Sequence, residues 1–342
     1  MRFETAGGPH IPAPITVHQV MRDVLLALVP GILAHLWFFG PGILFQLALA
    51  IGAALGFEAL MLKLRGARLD LHLHDLTAPV TGALYALCLP PLMPWWAAII
   101  GMFFAIVIAK HLYGGLGNNL FNPAMVGFVV VIVAFPNIST TWVPAQSLAE
   151  NPLNLIDSFK VIFFGTLPDG LTWDAITGAT PLDLIRTRIS EGIMLTEIRT
   201  DEIFGKYGGK GFEWVSIGYL VGGLYLLYRK VITWHVPVAM LGTVAVLTLP
   251  AYAMDPYNNP FPLQHILTGG MVLGAFFIAT DPVSGSTTPR GRLIFGLGVA
   301  ILTLSIRRWG AYPDGVAFSV LLMNCAVPLI DRYTKPRVFG RE

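Results

Sequence analysis

Residues 24–62 read VLLALVPGILAHLWFF, GPG, ILFQLALAIGAALGFEALML: two apolar runs, Val24–Phe39 and Ile43–Leu62, divided by Gly40-Pro41-Gly42. A helix needs about 20 mostly apolar residues to cross the hydrocarbon core of a bilayer, fewer where protein neighbours cover its ends. Both runs meet that requirement. Outward from this pair the pattern recurs in the apolar runs Ala78–Leu92, Trp95–Ile108, Pro123–Phe135, Ser216–Leu227, Val231–Tyr252, Ile266–Thr280, Leu293–Ile306 and Gly315–Ile330, giving ten candidate spans. The composition agrees. Of 342 residues, 55% are hydrophobic and 12% charged, where a soluble domain carries roughly 25% charged residues; mean hydropathy is +0.67. An ordinary soluble enzyme and a disordered chain are both excluded. A net charge of +2 offers no basic stripe for nucleic acid. Cys88 and Cys325 both lie in apolar runs, and two cysteines are too few for a disulfide framework, a Cys-rich zinc site or an iron–sulfur cluster. The expected fold is an all-α polytopic membrane protein.

Residues 1–23 are polar, contain Pro12 and Pro14, and lack the apolar core and small-residue site of a cleavable leader. They read as a cytoplasmic N-terminal segment. Residues 24–135 hold the first five spans and residues 213–330 the second five. Between them, residues 136–212 form a loop that contains nine of the 20 acidic residues. It is too long and polar for a connector, so structure of its own is expected. Within it, Leu155–Leu167 is apolar enough to lie along the membrane surface. Residues 331–342 form a short basic tail. With the N-terminus inside, the inner side receives fourteen Lys and Arg, and the short outer loops receive only Arg307 and Arg308. The six in the long loop fall outside the positive-inside count. Both termini are therefore expected in the cytoplasm and residues 136–212 outside it.

A faint internal repeat is also present. Leu76-Thr77 opens one span, followed by Gly82-Ala83 and Leu89-Pro90; Leu267-Thr268 opens another, followed by Gly274-Ala275 and Asp281-Pro282. The next span ends on Lys110-His111 in the first case and Arg307-Arg308 in the second. Five spans per half, an odd number, give the halves opposite topology, so the expectation is two inverted five-helix repeats. Such repeats predict paired broken helices near the bilayer centre.

In the loop stands Asp174-Ala175-Ile176-Thr177-Gly178-Ala179-Thr180, followed by Pro181-Leu182. It offers a hydroxyl beside a glycine, which lets a bulky group approach the backbone, with an acid six residues upstream. On the residues alone it is equally a turn leading into a helical stretch, Leu182–Arg188, with Thr180 as N-cap.

The pattern Asp-x-x-(Ser/Thr)-Gly-Ala-Thr resembles the acceptor motif at which a flavin transferase esterifies the phosphate of FMN to the last Thr. Lys110-His111-Leu112-Tyr113-Gly114-Gly115-Leu116-Gly117-Asn118-Asn119-Leu120-Phe121-Asn122-Pro123-Ala124 and residues 279–292, ATDPVSGSTTPRGR, are similar to segments of the RnfD family, the D subunits of Rnf electron transport complexes. The wider family includes the B subunit of the sodium-translocating NADH:quinone reductase. The likeness runs over nearly the whole chain with the motifs in order; Ala175 stands where the family often has Gly. It implies a urea- or ammonium-channel-like helical fold and FMN on Thr180, with Asp174, Thr177, Gly178 and Ala179 completing the attachment motif. It also implies service in an ion-translocating oxidoreductase of the bacterial inner membrane, coupling electron transfer between ferredoxin and NAD to movement of Na+ or H+. The implied partners are a second covalent-FMN subunit, iron–sulfur membrane and peripheral subunits, the flavin transferase and membrane lipid, with no nucleic acid. The chain itself has neither an NAD-binding domain nor cluster ligands, so no complete active site is expected in it.

Two inner segments are further candidates. Gly114, Gly115, Asn118 and Asn119 read either as a broken helix whose N–H groups and amides face a flavin, a quinone-like ligand or an ion path, or as a sharp packed turn. Asp281, Thr287 and Arg290 belong to a segment that either holds a second, non-covalent flavin, as the riboflavin of the quinone-reductase relatives suggests, or is a cytoplasmic loop touching lipid phosphates. His72, His74 and Asp75 lack a third convergent metal ligand, and no metal is expected. Asp23 and Glu58 lie within a turn or two of an interface, close enough to reach it, and are not assigned to an ion path. The competing class is a solute channel or transporter, which needs the same broken helices but no flavin.

Overall fold

The computed structural model describes residues 16–69 and 73–335. In the first half, α1 (Val17–Phe39) and α2 (Gly42–Leu64) are followed by the short α3 (Thr77–Ala86). Next come α4 (Trp95–Phe103), prolonged by π-helical turns over Phe104–His111, and α5 (Pro123–Ala134). The long loop contributes α6 (Leu155–Phe164) and α7 (Pro181–Ser190). The second half begins with α8 (Phe212–Tyr228) and α9 (His235–Met254). There follow α10 (Pro262–Leu267), with a turn at Met271–Leu273 that runs into the π-helical Gly274–Ile278, then α11 (Pro289–Trp309) and α12 (Val316–Thr334). Every one of the ten apolar runs is helical in whole or part. Among the described residues five helices, α1, α2, α9, α11 and α12, are long and apolar enough to cross a membrane; Trp95–His111, α5 and α8 are shorter apolar helices. Only two isolated β-bridges occur among them, and no strand.

Local chemistry sets the ends. Thr16 and Gln19 form a capping box at the start of α1, and Gly40, at φ +84°, closes it by donating its N–H to Leu36 O. The run Ala78–Leu92 is helical only to Ala86. Pro90 and Pro91 supply no N–H to carry a helix onward, and the carbonyls of Pro91 and Met93 instead accept from the buried Gln46 amide of α2, at 3.4 and 2.6 Å. The run Ile266–Thr280 is split by Gly269, at φ +67°. Both shortened runs are the ones that open on Leu-Thr.

Glycines set the closest packing. At the α1–α8 crossing, a Cβ on Gly222 would stand 1.8 Å from Ala27 O, and one on Gly218 2.8 Å from Gly31 Cα. Backbones can approach this closely only through such small residues. Across the other side of the bundle, α5 meets α12, where the Asn122 N–H donates to Asn324 Oδ1 at 3.1 Å. One continuous apolar core, with Leu28, Tyr85, Met102 and Phe295 fully buried, joins both halves.

The 136–212 loop has two small cores of its own, one around Val161, Ile162 and Ile176 and one around Ile185, Leu195 and Ile198. It sits on one end of the bundle. Gln146 N–H donates to Phe38 O at the end of α1 (2.7 Å), Phe159 packs on Phe45 of α2, and Leu195 N–H donates to Tyr257 O (2.8 Å). At the opposite end lie the two acids near an interface. Both are buried and paired: Asp23 with the half-exposed Arg229 at 3.2 Å, and Glu58 with Lys110 at 2.8 Å and His111 Nε2 at 3.2 Å. The reason is energetic, because a carboxylate this close to hydrocarbon is retained only with a partner. Asp75 Oδ1 accepts from the Thr77 N–H and hydroxyl (2.8 and 2.6 Å) at the start of α3. His72, with residues 1–15 and 336–342 of the two terminal segments, lies outside the described residues.

Candidate cofactor site

Thr180 starts α7. Its Oγ1 accepts the Asp183 N–H at 3.2 Å, its own backbone is extended, and Pro181 occupies the first helical position. A hydroxyl at the N-cap and a proline just inside it satisfy or remove the N–H groups that a helix start leaves free. This is the turn-and-cap geometry that the residues alone allow. Upstream, Asp174 is exposed on the single turn Trp173–Ile176, and Thr177 donates its hydroxyl to Trp173 O at 2.8 Å. Gly178 pairs with Trp142, its N–H 2.8 Å from Trp142 O, and Ala179 is exposed. Gly178 does not have a left-handed φ, and a Cβ there would meet only Pro144, at 3.9 Å. None of the described residues requires glycine at that position. What it leaves is open space two residues from the Thr180 hydroxyl.

Thr180 also lines a cavity of about 140 Å³ that runs between α1, α5 and α8. One wall is aromatic: Phe39 and Phe212 are 4.6 Å apart between ring centres, and Trp142 lies 6.1 Å from Phe212. Two of the polar side chains in the lining are left without a partner. His35 Nδ1 and Tyr219 Oη are buried and have no hydrogen-bond partner among the described residues. A buried polar atom left unpaired costs about 1–3 kcal/mol, so these two suit a ligand with a flat apolar body and a polar edge. Asp314, also in the lining, is already neutralised. Its Oδ1 accepts from Arg307 at 3.1 and 3.3 Å and its Oδ2 from the Gly270 N–H at 2.6 Å. Arg307 further donates to His265 O and Thr268 O, at 2.6 and 3.1 Å.

A second cavity, about 210 Å³, opens at the other end. It gathers Lys110, Asn119, Asn122, Asp281, Ser286 and Arg292. Lys110 Nζ donates to Glu58 (2.8 Å) and to Thr77 Oγ1 (3.0 Å), Asn122 Nδ2 to Ile278 O, and Arg292 to Ser286 O and Thr233 Oγ1. Asp281 Oδ2 accepts from the Ser284 hydroxyl and N–H. Burial pushes the Asp281 carboxyl above its usual range, against those hydrogen bonds.

Of the inner residues read from sequence, Asn119 and Asp281 reach this cavity. Gly114 and Gly115, at φ +118° and +92°, form a tight turn whose Gly114 carbonyl accepts from Arg65 at 2.9 Å, and Asn118 is exposed. Thr287 and Arg290 are exposed and line neither cavity; Thr287 is tied to Asp331, its hydroxyl 2.8 Å from Oδ2. Their neighbours Ser286 and Arg292 face inward instead. His35, Tyr219 and the Arg307–Asp314 pair do not stand out in the sequence. A lone histidine inside an apolar run was the available signal for the first.

The fold and the loop-capped cavity define an all-helical, multi-pass membrane protein with a candidate ligand site at one end. Residues 4–340 match the sequence model of the NQR2, RnfD, RnfE family, and the chain belongs to that family. It is 48% identical over 347 residues to the D subunit of the ion-translocating oxidoreductase complex of Vibrio cholerae serotype O1 (strain ATCC 39541 / Classical Ogawa 395 / O395), covering 99% of this chain and 100% of the relative. The protein of the same description from Aeromonas hydrophila subsp. hydrophila is 48% identical over 345 residues, 99% of each chain. That from Aliivibrio salmonicida is 46% identical over 349 residues, covering 100% of this chain and 99% of the relative.

Proposed function

We propose that the protein is the FMN-carrying membrane subunit of an Rnf-type complex, with the flavin held by a phosphoester at Thr180. The observation that carries this reading is the seat of Thr180. The last residue of an acceptor-like motif lines a largely apolar, aromatic-walled cavity with two unpartnered polar groups. The chain's own groups have definable tasks there. Thr180 Oγ1 provides the ester oxygen and can still accept from the Asp183 N–H, since an ester oxygen keeps an acceptor lone pair. The N-terminus of α7 favours the phosphate charge. Gly178 leaves the approach open, and Phe39, Trp142 and Phe212 keep water from the cavity wall. When bound, FMN supplies the one- and two-electron redox chemistry that the side chains lack.

The rest of the reading follows from the family. The complex couples electron transfer between ferredoxin and NAD to movement of Na+ or H+, and the partners are a second covalent-FMN subunit, iron–sulfur subunits and a flavin transferase. The charge distribution favours an inner-membrane orientation with both termini cytoplasmic and Thr180 outside. Two inverted five-helix repeats are supported by matched clasps. Lys110 reaches the Thr77 hydroxyl at the start of α3, and Arg307 reaches Thr268 O at the break after α10. These are the residues that the internal repeat aligns, and they lie at opposite ends of the bundle. The inner cavity is the candidate seat of a second, non-covalent flavin.

In-gel fluorescence of the denatured chain, expressed with its flavin transferase, tests the proposal. A fluorescent wild-type band that is dark in Thr180→Ala supports it. A dark wild-type band, with the transferase active on a control protein, favours the solute-channel reading and calls for flux assays.

A further inference from the structure

A third cavity, about 380 Å³, lies between α7 of the loop and the end of α11. Its cationic lining is Arg186, Arg307 and Arg308, and no carboxylate is among its described lining residues. Arg307 is offset by Asp314. The other two have only neutral partners among the described residues: Arg186 donates to Ala311 O, and Arg308 approaches Asn259 Oδ1 at 3.4 Å. Gln264 also lines the cavity. It is 2% exposed, and neither its Nε2 nor its Oε1 has a hydrogen-bond partner among the described residues. A buried primary amide with both ends unpaired is doubly costly. A ligand that relieves it must present an acceptor to Nε2 and a donor to Oε1, next to two uncompensated guanidinium groups.

We propose that this cavity binds a phosphate-bearing group with hydroxyls beside it, the chemistry shared by the headgroup of an anionic glycerophospholipid and by free glycerol phosphate. Phosphate oxygens match the arginines and the amide N–H; a glycerol hydroxyl supplies the donor for Oε1. The setting matches a headgroup. α11 is one of the membrane-length helices, and Trp309 at its end is 81% exposed, as side chains that anchor at the membrane–water interface are. Leu304, Ile185 and Ile189 give the cavity an apolar flank. Guanidinium groups at the membrane–water interface pair well with the phosphate of an anionic lipid headgroup. The site does not include Thr180 and does not depend on flavin.

The test is thermal unfolding of the delipidated full-length chain in neutral detergent, with phosphatidylglycerol, phosphatidylcholine of the same acyl chains, or glycerol phosphate added. Phosphatidylglycerol is expected to raise the unfolding temperature, phosphatidylcholine to leave it unchanged, and the rise to vanish in Arg186→Gln/Arg308→Gln. Gln264→Leu is expected to leave the lipid-free chain at least as stable as wild type while removing most of the rise. The same pattern is expected in a Thr180→Ala background. A rise with glycerol phosphate equal to that with phosphatidylglycerol supports the site and assigns it to a soluble ligand. Equal rises with the two lipids, or a rise that survives in the double-arginine variant, overturn the proposal. So does a lipid-free Gln264→Leu chain that unfolds well below wild type, because the amide then already has a partner.

Discussion

The cavity under the loop and the cavity at the opposite end differ in how their polar groups are satisfied. At the inner end, Lys110, Asn122, Asp281 and Arg292 all have partners from the chain itself. At the loop end, His35 Nδ1 and Tyr219 Oη have none among the described residues, though both side chains are buried as Lys110 and Asn122 are. Unpaired buried groups are retained against a cost of about 1–3 kcal/mol each. That cost is sensible where a ligand pairs them and unexplained otherwise. The described polar lining of the cavity away from the loop is thus satisfied by the chain itself, whereas the loop-end cavity keeps two unpaired groups that a ligand would satisfy. A second flavin in that self-satisfied cavity would find no unpaired buried side-chain atom among its described lining residues, which makes it the weaker of the two flavin assignments.

The sharpest break in that comparison is Thr180→Ala, expected to remove all covalent flavin while costing only about 1 kcal/mol of local stability through the lost cap. Flavin content and thermal unfolding, measured on one preparation, read the two effects apart. Thr180→Ser keeps the hydroxyl and is expected to keep the cap and, if the transferase accepts serine, the flavin. At the inner end the order is reversed. Lys110→Met leaves Glu58, 4% exposed, with His111 Nε2, 3.2 Å away, as its remaining described partner, and is expected to cost up to about 3–5 kcal/mol. Lys110→Met/Glu58→Gln should recover most of that loss in a thermal melt. If the single variant is as stable as wild type, the Lys110–Glu58 pair is not the structural element described above.

Glycine substitutions sharpen the contrast at smaller magnitude. Gly222→Ala places a methyl 1.8 Å from Ala27 O, so α1 and α8 must separate; overpacking of this kind typically costs about 1–3 kcal/mol, occasionally more. Gly178→Ala meets nothing nearer than 3.9 Å and is expected to leave the melting temperature unchanged while lowering the fraction of chain that acquires flavin. A reduced melting temperature with full flavinylation would give Gly178 a packing role in place of an access role.

Much of this contrast could be read from the residues, and the unread part has a physical cause. Apolar runs report a membrane solvent directly, so all ten lie on helices, and Pro90-Pro91 and Gly269 mark where two of them stop short. Thr180-Pro181 with Asp183 spells a helix start in four residues. The pairing of Asp23 with Arg229 and of Glu58 with Lys110 was not legible, because the partners are 206 and 52 residues apart and nothing in a run's composition encodes which helix lies beside it. For the same reason Asn119 and Asn118 look alike in sequence, yet one lines a cavity and the other is exposed. His35 and Tyr219 were invisible as a pair. Each is an ordinary residue of its own helix, and only the close α1–α8 crossing through Gly31, Gly218 and Gly222 brings them to one cavity.

The smallest effect discriminates most finely. Tyr219→Phe removes one hydroxyl and leaves the ring and its packing on Gly31 in place. In the flavin-free Thr180→Ala background this deletes an unpaired polar atom, and stability is expected to hold or to rise by up to about 1 kcal/mol. In the flavinylated chain the same change would remove the hydrogen bond proposed between Tyr219 and the bound group, so stability is expected to fall and the flavin's absorption and midpoint potential to move. The change of sign between the two backgrounds is the signature of a hydroxyl reserved for a ligand. A loss of equal size in both would mean that water or another part of the chain already pairs with Tyr219, and the loop-end cavity would then be no more a receptor than the inner one.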